Sequence, residues 1–148
     1  KSIAPLAYGA YQGGALVSRF GGDLVVRRLG AASVVLIGTS VGLAGLLTVV
    51  VSPVPVVAIV GFFVTGLGLA ILAPLSFAAL AAAVPPTARD VAIARMNIAN
   101  YLGAIMGGGL IGAAASADHL RWAFVIPLVT VPVVLLTARS FGAARPRL

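Results

Sequence analysis

The chain lacks cysteine and has only three acidic residues among its 148 positions. Without cysteine it can form neither a disulfide nor a thiolate metal site. The single histidine, His119, is expected to be a solvated loop residue, and we predict no metal site and no cofactor. Most hydrolytic and metal-dependent active sites need clustered acids or histidines, so the sequence does not predict an enzyme.

Charge of either sign is also scarce. Only 9% of the residues are charged and 61% are hydrophobic, whereas a typical soluble domain has roughly 25% charged residues. This composition indicates an integral membrane protein in contact with the lipid bilayer. A net charge of +7 would indicate nucleic-acid binding in a soluble protein. Here the arginines lie at the ends of apolar segments, which indicates membrane topology and no nucleic-acid partner.

The long apolar segments are expected to be helices, because a chain in hydrocarbon must satisfy its backbone hydrogen bonds within the segment. Residues 29–88 contain no charge at all, a run too long for one crossing, so it must turn at Ser52-Pro53-Val54-Pro55. Pro74 should kink or break the helix that follows this turn. We predict an all-α integral membrane helical bundle of five transmembrane helices, spanning 3–20, 31–51, 56–83, 91–115 and 122–138, with a basic cytoplasmic tail at 139–148.

The basic residues are distributed unequally between the two sides of this topology. Eight fall on one side and two, Lys1 and Arg121, on the other. Since cytoplasmic loops carry the excess of basic residues, the N-terminus is expected outside and the C-terminus in the cytoplasm, in the plasma (inner) membrane. The eight are Arg19, Arg27, Arg28, Arg89, Arg95, Arg139, Arg145 and Arg147.

A charged, glycine-containing segment separates the first two spans. Gly22 and Asp23 are followed by Arg28 and Gly30, which predicts a tight loop. This pattern, G-D-x-x-x-x-R-x-G, resembles the signature cytoplasmic loop of the major facilitator superfamily of transporters, in the looser form found between helices eight and nine. Ser18, where the family often has glycine, favours that C-terminal copy. The alternative is an ordinary positively charged loop.

The resemblance implies a partial major facilitator fold in which the five spans correspond to helices 8–12 of a twelve-helix protein. It implies a transporter that moves a small-molecule solute by alternating access. The chain would then be an incomplete C-terminal fragment whose partner is the missing N-terminal half. The resemblance also implies that Gly22, Asp23, Arg28 and Gly30 form a gating loop, which docks across the N-terminal and C-terminal halves of the transporter. The alternative is a non-transporting membrane module for packing or assembly.

Two spans carry polar residues at membrane depth. In each span the three residues are spaced i, i+3, i+4 and therefore share one helix face. They could line a substrate path near the midplane, or they could form interhelical hydrogen bonds worth about 1 kcal/mol or less. The first span contributes Tyr8, Tyr11 and Gln12, and the fourth contributes Asn97, Asn100 and Tyr101.

The spans also contain an arginine, further polar residues and closely spaced glycines, and each of these supports a prediction. Arg95 is interpreted as extending to the lipid headgroups, with a part in the gate as the alternative. Thr65 and Ser76, on either side of Pro74, are weaker candidates for the path. Small residues four apart, including Gly38 and Gly42, and the run 107–109 predict close helix packing.

Overall fold

The computed structural model describes residues 4–114 and 123–137. Every regular element in these two ranges is helical, so the prediction of an all-α fold is confirmed there. The expected loop at 116–121 and the tail at 139–148 lie outside the described residues. The elements are α1 (Ala4–Leu29), α2 (Ala31–Val51), α3 (Pro55–Leu69), α4 (Leu72–Ala83), a 3-10 turn (Pro86–Ala88), α5 (Arg89–Ala114), α6 (Val125–Thr130) and α7 (Pro132–Thr137).

Helix α1 is longer than the sequence analysis predicts. The expected loop over Gly22, Asp23, Arg28 and Gly30 is wrong, because the helix continues without interruption to Leu29. Gly22 is buried in this helix and lies against the side chain of Ile71. A glycine that permits close packing between helices does not have to end one, and inside a bilayer a helix keeps its backbone hydrogen bonds satisfied.

The turn between α1 and α2 is a single residue, Gly30. Its φ angle is 81°, a conformation that glycine adopts freely and that other residues strongly disfavour. The amide of Gly30 donates to the Val26 carbonyl at 2.9 Å, and its own carbonyl accepts from the Val34 amide at 3.1 Å. One residue therefore closes α1 and opens α2.

Pro74 interrupts the third predicted span, as expected. The helix ends at Leu69 and resumes at Leu72, which leaves α3 and α4 as two pieces. Pro74 has no amide hydrogen to give to the carbonyl four residues earlier, and that carbonyl belongs to Ala70 at the break. The helical hydrogen bonds resume with the Leu75 amide donating to Ile71 at 3.2 Å.

Within residues 4–114 and 123–137, two stretches are long and apolar enough to cross a membrane. They are Ala31–Val51, with 21 residues, and Pro55–Ala83, with 29 residues. Helices α1 and α5 have 26 residues each, or about 39 Å, but they carry more polar and charged side chains.

Helix α3 lies between α1 and α2 and is the centre of the packing. On the α2 side, Gly68 lies against the backbone of Gly38 and Gly42, while Gly61 meets Gly45, so these two helices are antiparallel. On the α1 side, Gly66 lies against the backbone of Tyr11. These contacts leave no room for a Cβ atom, and they confirm close packing for the pair Gly38 and Gly42.

Helix α5 stands apart from this core. It packs on α4 and on the 3-10 turn that precedes it. Five of its glycines have nothing within 4 Å of the position that a Cβ would take, so the expected close packing of 107–109 is wrong within the part of the chain that the structure describes. The five are Gly103, Gly107, Gly108, Gly109 and Gly112.

Helices α6 and α7 pack on α2. The ring of Phe124, just before α6, also meets Phe62 of α3 edge to face, with ring centroids 5.0 Å apart. The C-terminal part of the described chain therefore covers the α2–α3 pair, and the polar sides of α1 and α5 are left for other partners.

Candidate solute path and gating segment

Helix α1 has three distinct sides. One side packs on α3 through Gly14 and Ala15, and Gly22 continues it against Ile71 at the break between α3 and α4; all three are buried. A second side is apolar and exposed, with Phe20 at 82% and Leu24 at 58% exposure. An apolar side this open is suited to lipid.

The third side of α1 is polar. Tyr8 and Gln12 are four residues apart and exposed, and Arg19 and Asp23 continue the same stripe seven and eleven residues beyond Gln12. Tyr11 is half-buried, because it lies nearer the α3 side, where Gly66 meets its backbone. The stripe therefore consists of two neutral polar residues followed by two charged ones.

The expected gating residues are distributed along the end of α1. Asp23 and Arg28 are exposed and five residues apart in one continuous helix, so they lie on different sides of it. In the described residues neither forms an ion pair or a side-chain hydrogen bond, and the structure does not bring these two charges together. Arg28 lies on the apolar side near the end of the helix, while Asp23 lies on the polar stripe.

Helix α5 repeats the division into a polar and an apolar side. Asn97, Asn100 and Tyr101 are exposed and share their side with small residues, including Gly108 and Gly112. The opposite side consists of exposed apolar residues, namely Ile98, Leu102, Ile105, Met106 and Leu110. The polar side is free of charge from Asn97 to Gly112.

The two polar sides are not packed against each other, since α1 lies on α3 and α5 lies on α4. Among the described hydrogen bonds, none involves the side chains of the six predicted path residues. Interhelical hydrogen bonding within the described chain therefore does not account for these residues. Thr65, one of the weaker candidates, is buried between α2 and α3, and its hydroxyl donates to the Gly61 carbonyl at 2.8 Å.

Two arginines lie in the first two turns of α5. The Nε of Arg89 donates to the Ala81 carbonyl at 3.0 Å, which satisfies one of the carbonyls left open at the end of α4. Arg95 is exposed and lies on the apolar side of α5, the position expected for a side chain that extends along lipid to the headgroups.

A comparison with models of known protein families identifies the family of this chain. Residues 1–147 match the model of the Major Facilitator Superfamily. The chain belongs to the Major Facilitator Superfamily. Its members are transporters that carry small solutes across lipid bilayers, so the chain is an integral membrane protein of a transporter family.

The curated proteins include a similar relative, the membrane protein MosC of Rhizobium meliloti. It is 28% identical over 139 residues, which cover 94% of this chain and 34% of MosC. The chain therefore spans about a third of the length of the curated relative that it matches. No solved structure matches significantly.

Sequence reasoning missed one member of the polar stripe, Arg19, which was counted only for topology. The spacing of the polar residues indicates that Arg19 belongs to the stripe, because positions 8, 12, 19 and 23 follow one another at intervals of four and seven. It was obscured by the expectation that the helix ends at residue 20, before Asp23.

Proposed function

We propose that this chain is the C-terminal portion of a transporter that moves a small solute by alternating access, with an upstream half as its partner. The observation that carries the proposal is the family match over residues 1–147. The two unpartnered polar sides of α1 and α5 support it, because polar side chains at membrane depth face water or a bundle interior. The role is transport and not catalysis.

The orientation we propose has the N-terminus outside and the C-terminus in the cytoplasm of the plasma (inner) membrane. The packing supports it. Helices α1 and α3 are parallel, since residues 11–15 meet 63–67 and Gly22 meets Ile71, so α1 and α4 end on the same side. All five arginines of the described residues lie toward that side, which is the cytoplasmic side by the distribution of positive charge.

The gating role of Gly22, Asp23, Arg28 and Gly30 remains part of this proposal. Gly22 and Gly30 set the packing and the turn at the cytoplasmic end of α1, and Asp23 and Arg28 provide unpaired charges there. A charge that docks against the upstream half in one state and is solvated in the other would couple the gate to the transport cycle.

A test of alternating access that needs no known solute uses Gln12→Cys in an otherwise cysteine-free version of the intact protein. Alternating access predicts that a membrane-impermeant maleimide labels this position from both sides, in right-side-out and in inverted vesicles. Ile105→Cys on the apolar side of α5 is the control and should remain unlabelled.

A non-transporting module predicts a different pattern. Gln12→Cys would be labelled from one side only or from neither, because a fixed assembly does not expose one position to both solutions. That pattern would contradict the proposed function.

A further inference from the structure

Helix α3 is held on both sides by contacts between helix backbones. On the α1 side, a Cβ at Gly14 would overlap the backbone carbonyl of Phe63. On the α2 side, a Cβ at Gly61 would lie 2.9 Å from the backbone oxygen of Gly45. Backbones in direct contact cannot shift as a flexible side chain can. Helices α1, α2 and α3 therefore form one rigid unit, which we name the core unit.

Beyond the break at residues 70–71, α4 and α5 form a second unit, which we name the helical hairpin. Its two helices are linked at their turn, where the Nε of Arg89 donates to the Ala81 carbonyl and the Ala88 amide donates to the Pro85 carbonyl, both at 3.0 Å. Within the part of the chain that the structure describes, α4 and α5 contain no buried residue, although α4 also touches α2. The hairpin is therefore joined to the core unit chiefly through the break.

The break lacks one of the hydrogen bonds that stiffen a helix. Pro74 offers no amide hydrogen to the Ala70 carbonyl, and the helical bonds begin again only with the Leu75 amide. A helix bends most readily where such a bond is missing.

Ile71, at this break, is the last buried residue before α4. Its side chain lies between two glycines of the core unit, one in α1 and one in α2. A Cβ at Gly22 would overlap the Cδ1 atom of Ile71, and a Cβ at Gly38 would lie 3.5 Å from its Cγ2 atom. The isoleucine therefore occupies space that exists only because both positions are glycine.

We propose that residues 70–71 are a hinge on which the helical hairpin swings as one unit against the core unit, and that the contact of Ile71 with Gly22 sets its resting position. Asn97 lies on the hairpin and Gln12 on the core unit, so the swing changes the spacing between the two polar sides. This movement goes beyond the proposed function, and its detection requires no identified solute.

The experiment measures distances between paired spin labels by double electron–electron resonance, in a cysteine-free version of the intact protein reconstituted in a lipid bilayer. Three pairs of cysteines at exposed positions separate the two units: Leu6 with Leu36 in the core unit, Ala78 with Met106 in the hairpin, and Leu36 with Met106 across the hinge. We expect narrow distance distributions for the first two pairs and a distinctly broader one for the third.

Pro74→Ala supplies the missing donor for the Ala70 carbonyl and should make α3 and α4 one continuous helix. We expect it to narrow the distribution across the hinge to the width seen within the units.

A second set of variants tests the contact between Gly22 and Ile71. Gly22→Ala adds a Cβ where Cδ1 of Ile71 lies, so the mean distance across the hinge should shift. Ile71→Val removes Cδ1, and in the Gly22→Ala background it should return the mean toward its native value. Gly21→Ala is the matched control and should cause no shift, because nothing lies within 4 Å of the Cβ position there.

Several results would overturn the hinge. A distribution across the hinge as narrow as the other two would show no swing, and an equally broad one within the hairpin would show that α4 and α5 do not move together. A broad distribution unchanged by Pro74→Ala, or a shift in Gly22→Ala that Ile71→Val does not reverse, would place the movement elsewhere. If the distribution across the hinge is narrow while Gln12→Cys is still labelled from both sides, the hinge fails and the proposed transport function stands.

Discussion

Replacing Gly68 by valine is expected to separate α2 from α3 and to lower the free energy of unfolding by about 3 kcal/mol. A Cβ at position 68 would overlap the backbone nitrogen of Gly42 and the backbone oxygen of Gly38. Backbone atoms of packed helices cannot move aside as a flexible side chain can, so the loss falls at the upper end of the range for overpacking.

The measurement is thermal unfolding of the purified protein in detergent, where this loss corresponds to a fall in the melting temperature on the order of 10 °C. Gly103→Val is the matched control, because nothing lies within 4 Å of the Cβ position there. A melting temperature unchanged by Gly68→Val would show that α2 and α3 do not meet through these glycines.

Replacing Asp23 by asparagine is expected to shift the balance between the outward-facing and inward-facing states about tenfold or more. The substitution keeps the size of the side chain and removes its charge. Hydrogen bonds to charged groups contribute about 1.5–3 kcal/mol, and 1.4 kcal/mol is a tenfold change in an equilibrium. The readout is the ratio of labelling rates of Gln12→Cys from the two sides of the membrane.

Asp90→Asn is the control for this substitution. Asp90 is also an exposed aspartate, in the first turn of α5, where its charge stabilises the helix N-terminus by about 0.3–1 kcal/mol. It should leave the labelling ratio close to that of the native protein. An unchanged ratio in Asp23→Asn, with normal insertion into the membrane, would remove Asp23 from the gate.

Local sequence was sufficient to predict the helical class and the interruption near Pro74, because both follow from the needs of the backbone. A proline has no donor wherever it occurs, and the carbonyl of Ala70 loses its partner as a direct result. The turn at Gly30 was predicted only as the end of a longer loop over 22–30, and that loop is helical up to Leu29.

The length of α1 could not be predicted in the same way. Glycine and charge at 22–23 are typical of a loop in a short sequence window, but Gly22 packs on Ile71, which is almost fifty residues away. The other glycine contacts likewise depend on residues that are distant in the sequence. Spacing alone did not distinguish Gly42, which lies against Leu69 of α3, from Gly107, which has open space around it.

The sequence alone indicated which residues could line the candidate path. It indicated only in part which of them share one side of a helix. Tyr8, Gln12, Asn97 and Asn100 were evident as polar residues in apolar helices. The addition of Arg19 required knowledge that α1 is one continuous helix, because only then do positions 12, 19 and 23 share a side.

The central claim is that the polar side of α1 faces water while the neighbouring side faces lipid, and cysteine labelling along this helix tests it most directly. Since the chain has no cysteine, each introduced thiol is the one reactive site that this chain offers. In the intact, cysteine-free protein we predict that an impermeant maleimide labels positions 8, 12 and 19 and leaves 17, 20 and 24 unlabelled. Equal labelling of both sets, or labelling of the second set alone, would contradict the claim.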